Sequence, residues 1–267
     1  MPYLEMSNQR IRPRFELTDK VAVITGSSKG IGEAIARGLA EFGAKVVISS
    51  RSQESVDEVA ASFKTDGLEA TGIACHVGRA EDRKRLIEQT LATYGRLDIL
   101  VNNAATNPYF GPIEQLSPEA YQKTLEINLT AALELSNLVL PHMQAQGGGS
   151  IIHISSVEGL HASPGFGAYN LSKAGIIMLG KSQCVEWGKH NVRVNVICPG
   201  LVKTKLSQML WQNEALTAKA EATIPLGRMA EPEDMAGLAV FLASPAGAYV
   251  TGSVYVNDGG WLNAGIL

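Results

Sequence analysis

Tyr169 and Lys173 stand four positions apart in the segment AYNLSKAG (168–175). If this segment is a helix, both side chains lie on one face. A phenol transfers a proton near neutral pH only if its pKa falls from about 10 by two or three units, which corresponds to roughly 3–4 kcal/mol. A nearby ammonium group favours the phenolate. The pair therefore predicts a proton-transfer site, and the alternative is an ordinary pair on an amphipathic surface.

Two further polar side chains fit such a site. Ser156 ends the apolar segment GGGSIIHISS (147–156), thirteen residues before Tyr169. A hydroxyl at the carboxyl end of a strand can hold a substrate carbonyl oxygen while Tyr169 delivers a proton, whereas Ser155 points to the opposite face. Asn128 lies in a largely apolar helical pattern although asparagine is a poor helix former. We therefore expect Asn128 to anchor a polar network.

A glycine-rich segment, TGSSKGIG (25–32), joins a short apolar run to an amphipathic one. Gly26, Gly30 and Gly32 permit a sharp turn, a close approach to a pyrophosphate and packing against the next helix. The helix N-terminus offers free N–H groups and the positive end of its dipole to phosphates. The spacing predicts dinucleotide binding. A tight strand-to-helix turn without a ligand is the alternative, because a glycine motif alone is weak.

The end of the second predicted strand indicates which dinucleotide binds. NAD sites usually place an acidic residue there for the ribose 2′-hydroxyl, but this chain has Ser49, Ser50 and Arg51. Lys29 adds a second cation. An arginine beside a 2′-phosphate gains charge-assisted hydrogen bonds of about 1.5–3 kcal/mol each. We therefore expect NADP, with NAD the alternative if Arg51 is merely solvated.

Strands and helices that alternate along the chain must position these residues. Helical patterns cover 30–42, 54–67, 80–95, 118–145 and the segment that carries Tyr169, and they separate predicted strands at 20–25, 44–50, 69–77, 97–104, 147–156, 192–200 and 252–260. Such alternation predicts right-handed βαβ crossovers and a parallel sheet covered on both faces. The expected fold is α/β, a Rossmann-like doubly wound parallel sheet with three α/β/α layers. Ligands bind such sheets beyond the carboxyl ends of the strands.

Composition bounds the partners and the domain organisation. The 267 residues are 45% hydrophobic and 18% charged, which suits one large domain. A net charge of −3 argues against nucleic acid and membrane surfaces. We expect an N-terminal arm over 1–17 and a single domain over 18–267. Three scattered cysteines, without a signal peptide or a peroxisomal address, predict a cytoplasmic location. No metal-ligand spacing occurs, and His153 inside a predicted strand is expected to be structural.

Together these motifs resemble the short-chain dehydrogenase/reductase family over nearly the whole chain. The residues that carry the resemblance are TGSSKGIG (25–32), NNAA (102–105), Asn128, Ser156, YNLSK (169–173) and NVICPGLVKT (195–204). The resemblance implies that Tyr169 is the acid/base and that Ser156 orients the substrate oxygen. It also implies that Lys173 binds the nicotinamide ribose and lowers the pKa of Tyr169. Asn128 would hold a water that links Lys173 to solvent.

The resemblance also implies a set of cofactor contacts. They are Gly26, Ser28, Lys29, Gly30, Ile31, Gly32, Arg51, His76, Val77, Asn103, Tyr169, Lys173, Val202 and Thr204. Two positions depart from the family pattern, because Ala105 stands where glycine is frequent and His76 where an aspartate near the adenine is usual. The segment 201–226 resembles a substrate flap, and apolar side chains that could line the cleft are Tyr109, Phe110, Phe166, Leu206, Met209, Leu210 and Trp211.

A closer likeness is to the NADPH-dependent carbonyl and retinal reductases of the peroxisomal type, carried by the segments 49–58, 75–83, 103–111 and 208–211. It implies reversible hydride transfer between NADP(H) and a small-molecule ketone, aldehyde or secondary alcohol. The family also implies a homotetramer built through long helices and the C-terminal strand. One alternative is a catalytically idle dinucleotide-binding sensor or scaffold. The other is an epimerase or dehydratase of the same superfamily, a class that is typified by a longer chain and another glycine spacing.

Overall fold

The computed structural model describes residues 10–264. Residues 1–9 of the expected arm and residues 265–267 of the expected oligomer contact lie outside the described residues. Within 10–264, seven parallel strands form one sheet in the order β3-β2-β1-β4-β5-β6-β7. The strands are Val21–Thr25 (β1), Lys45–Ser50 (β2), Ala70–Ala74 (β3), Ile99–Asn102 (β4), Gly149–Ile154 (β5), Val192–Pro199 (β6) and Val254–Asn257 (β7).

Helices cover both faces of this sheet. They are Gly30–Glu41 (α1), Gln53–Thr65 (α2), Ala80–Tyr94 (α3), Pro118–Leu125 (α4), Ala131–Ala145 (α5), Gly167–Trp187 (α6), Gln208–Trp211 (α7), Glu214–Glu221 (α8) and Ala236–Ala243 (α9). None of the helices in this described part combines the length and apolar character needed to span a membrane.

Two hydrophobic cores explain why the central strands are apolar throughout. In β1, Ala22 and Ile24 pack toward α1, α2 and α9, whereas Val23 packs toward α3 and α5. Because successive side chains point to opposite faces and helices cover both faces, all of β1 is buried. The expected three-layer α/β/α fold with a doubly wound parallel sheet is confirmed.

The strand order reverses between β1 and its neighbour β4. Val23 pairs with Leu100 and Ile24 with Val101, and the chain leaves β1 and β4 toward helices on opposite faces. Such a reversal opens a crevice beyond the carboxyl ends of the strands. The crevice therefore begins next to Thr25 and Asn102.

The predicted helix over 118–145 is interrupted. The segment Glu126–Thr130 is a turn of π-helix between α4 and α5, and Asn128 within it is 3% exposed. Insertions of this kind are frequent at functional sites. The last strand is shorter than its predicted span of 252–260, because glycines with positive φ stand on both sides of it. Helix α9 was not predicted from the sequence.

The part of the expected arm that the structure describes lies against the domain. Residues Arg12–Phe15 form a 3₁₀ turn, and Arg14 donates to the carbonyl oxygen of Pro245 across 2.9 Å. The Phe15 ring lies 6.4 Å from that of Phe241, and Leu17 is 1% exposed. These contacts are at the edge of the sheet where β1 begins, which is the edge remote from the crevice.

Candidate active site

The glycine turn after β1 forms a cradle that admits no additional side chain. Gly26 and Gly30 have φ angles of +65° and +61°, which glycine adopts without strain. A Cβ on Gly32 would lie 2.5 Å from Asn103 Nδ2 and 2.5 Å from the Gly26 carbonyl oxygen. No side chain caps the start of α1, whereas Ser52 caps α2. The first N–H groups of α1 are therefore available to a ligand.

Asn103 and Thr25 fix this turn to the end of β4. Asn103 Nδ2 donates to the carbonyl oxygens of Thr25 and Gly26 across 2.8 and 3.1 Å. Thr25 Oγ1 accepts from the N–H groups of Asn103 and Ala104, both at 3.1 Å. Sequence reasoning identified Asn103 but missed Thr25, whose signal was a polar residue at the end of an apolar strand.

Two of the predicted cations stand at the rim of the crevice. Arg51 follows β2 directly and is exposed, and Lys29 is the exposed residue before α1. No carboxylate lies at the end of β2, which is the expected arrangement for a 2′-phosphate. Ser28 in the turn between β1 and α1 is half-buried, as is Ile31, the second residue of α1.

The segment after β3 is held from two sides. The backbone N–H of His76 donates to Asp82 across 3.0 Å, and its Nδ1 accepts from the Gly78 N–H across 3.2 Å. The buried Val77 offers its carbonyl oxygen to Arg83. The Arg83 guanidinium also binds Glu126 and Glu134, on either side of Asn128. Arg83 was not anticipated, and it links the predicted adenine side of the crevice to the π-helical turn.

Ser156, Tyr169 and Lys173 come together beyond the carboxyl end of β5. Ser156 follows β5, while Tyr169 and Lys173 occupy one face of α6. The Tyr169 phenol interacts with the Ser156 side chain. Lys173 Nζ lies 5.5 Å from the Tyr169 ring centroid and donates to the Ile154 carbonyl oxygen across 2.8 Å. As expected, Ser155 points elsewhere, and its Oγ donates to the Lys173 carbonyl oxygen.

Burial dominates the acidity of this pair. It raises the pKa of Tyr169 to about 12, a change that the hydrogen bond with Ser156 opposes and the charge of Glu158 reinforces. Burial also lowers the pKa of Lys173 to about 8. In the protein alone the pKa of the phenol is therefore raised, and its lowering by Lys173 together with a bound nicotinamide ring stays a prediction.

Asn128 lies in the polar network that its sequence context predicted. Its Oδ1 accepts from the Thr106 N–H across 2.8 Å, and its Nδ2 donates to the Thr106 carbonyl oxygen and to Ser172 Oγ, both at 3.0 Å. A cavity of about 10 Å³ touches Asn128, Asn102 and Ile154, and such a volume suits about one water. Among the described residues, buried Asn102 Oδ1 has no hydrogen-bond partner.

The flap lies over the glycine turn. Val202 pairs with Ala230, and the Thr204 Cγ2 would be 3.5 Å from a Cβ on Gly30. Trp211 Nε1 donates to the Thr204 carbonyl oxygen across 2.8 Å. Of the predicted apolar lining in this segment, Leu210 and Trp211 are half-buried, whereas Leu206 and Met209 are exposed.

Aromatic rings lie beside the proposed acid/base. The Phe110 and Phe166 rings meet edge to face at 5.0 Å, and Phe166 lies 6.0 Å from the Tyr169 ring. Tyr109 turns away and donates to the Pro112 carbonyl oxygen. The two phenylalanine rings therefore form an aromatic cluster next to the ring of Tyr169.

The remaining histidine and cysteine predictions concern structure. His153 is fully buried between Gln183 Oε1 at 2.8 Å and Asn102 Nδ2 at 3.2 Å, which confirms its structural role. Cys75 and Cys198 are buried, while Cys184 is half-buried. Across residues 10–264, no group of three or more His, Cys, Asp or Glu side chains has the arrangement of a metal site.

Comparison with known proteins decides the family. Residues 26–262 match the family model described as enoyl-(acyl carrier protein) reductase. Dehydrogenase/reductase SDR family member 4 of Homo sapiens is 44% identical over 257 residues, which cover 96% of this chain and 92% of that protein. The chain belongs to the short-chain dehydrogenase/reductase family. The dehydrogenase/reductase SDR family member 4 of Caenorhabditis elegans is 41% identical to this chain, with 92% of this chain and 96% of that protein covered.

Solved structures of short-chain dehydrogenases share the fold. A gluconate 5-dehydrogenase from Burkholderia cenocepacia J2315, in complex with NADP and tartrate, is 33% identical with a TM-score of 0.91, covering 95% of this chain and 99% of that chain. A 7α-hydroxysteroid dehydrogenase, in complex with NADH and 7-oxo glycochenodeoxycholic acid, is 30% identical with a TM-score of 0.89, covering 93% and 96%. These two structures contain different nicotinamide cofactors, so family membership alone leaves the choice between NADP and NAD open.

Proposed function

We propose that this chain is an NADP(H)-dependent oxidoreductase that interconverts ketones or aldehydes with alcohols, with Tyr169 as the acid/base. The observation that carries the proposal is the buried phenol of Tyr169, which interacts with the Ser156 side chain and has the Lys173 amine 5.5 Å from its ring centroid. The aromatic cluster of Phe110 and Phe166 next to the Tyr169 ring suits a carbonyl compound.

The crevice fits a dinucleotide. Its cradle excludes a Cβ at Gly32, the start of α1 lacks a side-chain cap, and Arg51 stands where a carboxylate would favour NAD. When bound, NADPH supplies the hydride. The residues proposed to hold the cofactor are Gly26, Ser28, Lys29, Gly30, Ile31, Gly32, Arg51, His76, Val77, Asn103, Tyr169, Lys173, Val202 and Thr204.

Each side chain near the phenol has a distinct task in the proposed reduction. Ser156 Oγ donates to the substrate carbonyl oxygen and holds it against Tyr169. Tyr169 gives its hydroxyl proton to that oxygen, and its raised pKa supports this direction because the phenol stays protonated. The Lys173 amine, anchored on Ile154, stabilises the phenolate that forms. Asn128 orders the water that returns the proton.

A reductase screen tests this proposal. The unmodified protein is assayed for NADPH and NADH oxidation with a panel of aldehydes and ketones, alongside Tyr169→Phe. We expect turnover with NADPH that Tyr169→Phe abolishes while the Kd for NADPH stays within about twofold. An enoyl thioester, run in parallel, separates carbonyl from C=C reduction. Tight NADPH binding without turnover on any carbonyl would instead favour the sensor or scaffold.

We also infer a homotetramer in the cytoplasm. Leu171, Met178 and Val185 are spaced by seven residues on α6 and are 53%, 61% and 83% exposed, so they form an apolar stripe along one face of the helix. Such a stripe suits helix-to-helix packing between copies. Light scattering gives the molar mass of the unmodified protein and of Met178→Glu. We expect a tetramer for the unmodified protein and a smaller species for the variant, whereas a monomer in both cases would contradict the inference.

A further inference from the structure

Glu158 places a carboxylate at a fixed position beside the proposed substrate oxygen. It lies in the 3₁₀ turn Val157–Gly159, and its N–H donates to Ser156 Oγ across 3.1 Å. The turn is pressed against α6, because a Cβ on Gly159 would lie 2.7 Å from the Lys173 carbonyl group. Glu158 therefore cannot drift away from the proposed catalytic residues.

The side chain of Glu158 is also held in place. Oε1 accepts from Ser163 Oγ across 2.7 Å, and Oε2 accepts from the Ser163 N–H across 3.0 Å. Asn170 Nδ2 in turn donates to the Ser163 carbonyl oxygen, so the loop that carries these donors is itself tied to α6. A carboxylate fixed by two donors keeps its direction when a ligand arrives.

The donors that hold this carboxylate are uncharged. No lysine, arginine or histidine forms an ion pair with Glu158 in the described part of the chain, although ten other pairs occur there. Its negative charge is therefore not neutralised by an ion pair in that part of the chain. The half-buried position limits screening by solvent and salt.

Because the Glu158 N–H contacts Ser156 Oγ at 3.1 Å, the Glu158 carboxylate lies within one side-chain length of the oxygen that Ser156 would bind. Burial is the main cause of the raised pKa of Tyr169, and the Glu158 charge adds to it. The Phe110 and Phe166 rings beside Tyr169 offer no positive charge. The Lys173 amine is buried and donates to the Ile154 carbonyl oxygen, so we expect the Glu158 charge to be the one that an anionic substrate group meets first.

We propose that Glu158 is a specificity-determining residue that excludes substrates with a carboxylate near the reacting carbonyl. The substrate class is then uncharged or cationic carbonyl compounds and the matching alcohols. This inference rests on the proposed function. Rejection by a fixed like charge is a common way for a site to discriminate between partners of the same shape.

A pair of aldehydes of nearly equal shape tests the inference. 4-Nitrobenzaldehyde and 4-carboxybenzaldehyde differ mainly in charge, and their 3-substituted isomers offer the charge at a second position. The kcat/KM ratio of nitro to carboxy compound is measured with NADPH for the unmodified protein and for Glu158→Gln. We expect Glu158→Gln to lower the ratio at least tenfold by raising kcat/KM for the carboxylate. Glu88→Gln, an exposed change on α3, should leave the ratio unchanged.

Two further measurements keep the result decisive. In the unmodified protein, 0.5 M NaCl should lower the same ratio, because salt weakens repulsion between charges; this arm needs no variant. If no aldehyde is turned over, the proposed function fails, and the Kd of each aldehyde for the protein saturated with NADP⁺ then decides the inference. The inference is overturned if the ratio of nitro to carboxy compound, in kcat/KM or in Kd, is the same for Glu158→Gln and for the unmodified protein.

Discussion

Asn128 Nδ2 donates a hydrogen bond to Ser172 Oγ across 3.0 Å. This contact joins the π-helical turn to α6, one residue before Lys173. Ser172 Oγ itself donates to the Tyr169 carbonyl oxygen across 2.7 Å. The turn and the two proposed proton-transfer residues are therefore parts of one hydrogen-bonded unit.

Asn128→Ala should damage both stability and turnover. The change leaves the half-buried Thr106 backbone groups and the buried Ser172 hydroxyl without their partner, which costs about 1–3 kcal/mol of unfolding free energy. Movement of the π-helical turn should lower kcat by about tenfold or more. Urea unfolding and steady-state kinetics check both effects. Ser172→Ala, which removes one of these bonds, should have the smaller effect; an Asn128→Ala protein with full stability and rate would contradict this role.

Gly32→Ala should weaken dinucleotide binding. Its methyl group would lie 2.5 Å from both Asn103 Nδ2 and the Gly26 carbonyl oxygen, and overpacking of this kind costs about 1–3 kcal/mol. The Kd for NADPH, measured by fluorescence titration, should rise at least tenfold. Gly188→Ala is the matched control, because its φ is −55° and a Cβ there meets nothing within 4 Å. Equal Kd values for the two variants would show that the cradle is not the binding site.

Arg51→Ala should reduce the preference for NADPH. Loss of charge-assisted hydrogen bonds of about 1.5–3 kcal/mol corresponds to a rise in the NADPH Kd of roughly 10- to 150-fold. The Kd for NADH should change little, because its ribose hydroxyl gains much less from the cation. Lys64→Ala, an exposed change on α2, controls for the loss of one positive charge. A preference for NADH in the unmodified protein would remove the assignment of NADP.

The kcat/KM values of the two reaction directions should depend differently on pH. Reduction uses the protonated phenol, whose pKa burial raises to about 12 in the protein alone. Its kcat/KM should therefore stay level from pH 6 to pH 8 and decline only above the pKa of the complex. Alcohol oxidation uses the phenolate, so its kcat/KM should rise with pH over the same range. A level profile for oxidation would exclude Tyr169 as the base.

The stability of the fold should decline in mild acid because of His153. Burial lowers the pKa of its imidazole from 6.5 to about 4, so the unfolded chain binds a proton that the folded chain refuses. This contribution is fully present above pH 6.5 and is lost as the pH falls toward 4. At about 1.4 kcal/mol per pKa unit, the loss between pH 7 and pH 5 is about 2 kcal/mol. Urea unfolding of the unmodified protein and of His153→Gln should show a shallower decline in the variant.

Residue spacing was sufficient to predict the glycine turn and the proximity of Tyr169 and Lys173. Gly26, Gly30 and Gly32 signal their turn because the backbone there excludes other residues, and the i, i+4 spacing of Tyr169 and Lys173 follows from helix geometry. The strands were predictable as well, because a sheet that is covered by helices on both faces needs strands that are apolar throughout.

Features that depend on tertiary contacts were not predictable. The π-helical turn leaves the apolar pattern of 118–145 almost unchanged, and the anchor of Lys173 is a main-chain oxygen of Ile154, which has no sequence signature. The raised pKa of Tyr169 in the protein alone was not predictable, because a sequence shows the neighbouring charge but not the depth of burial. The orientation of the Glu158 carboxylate was not predictable either, because it depends on a hydrogen bond from Ser163.

The attachment of Phe15 and Leu17 at the amino ends of the strands has a practical consequence for immobilised enzyme. Anchoring the protein to a bead or an electrode through residues that precede this segment would turn the crevice toward the bulk solution. A linker joined after Trp261 would start beside the flap, since Gly260 lies against Pro225. Coupling through the first route should preserve access for reactants, whereas the second should hinder it.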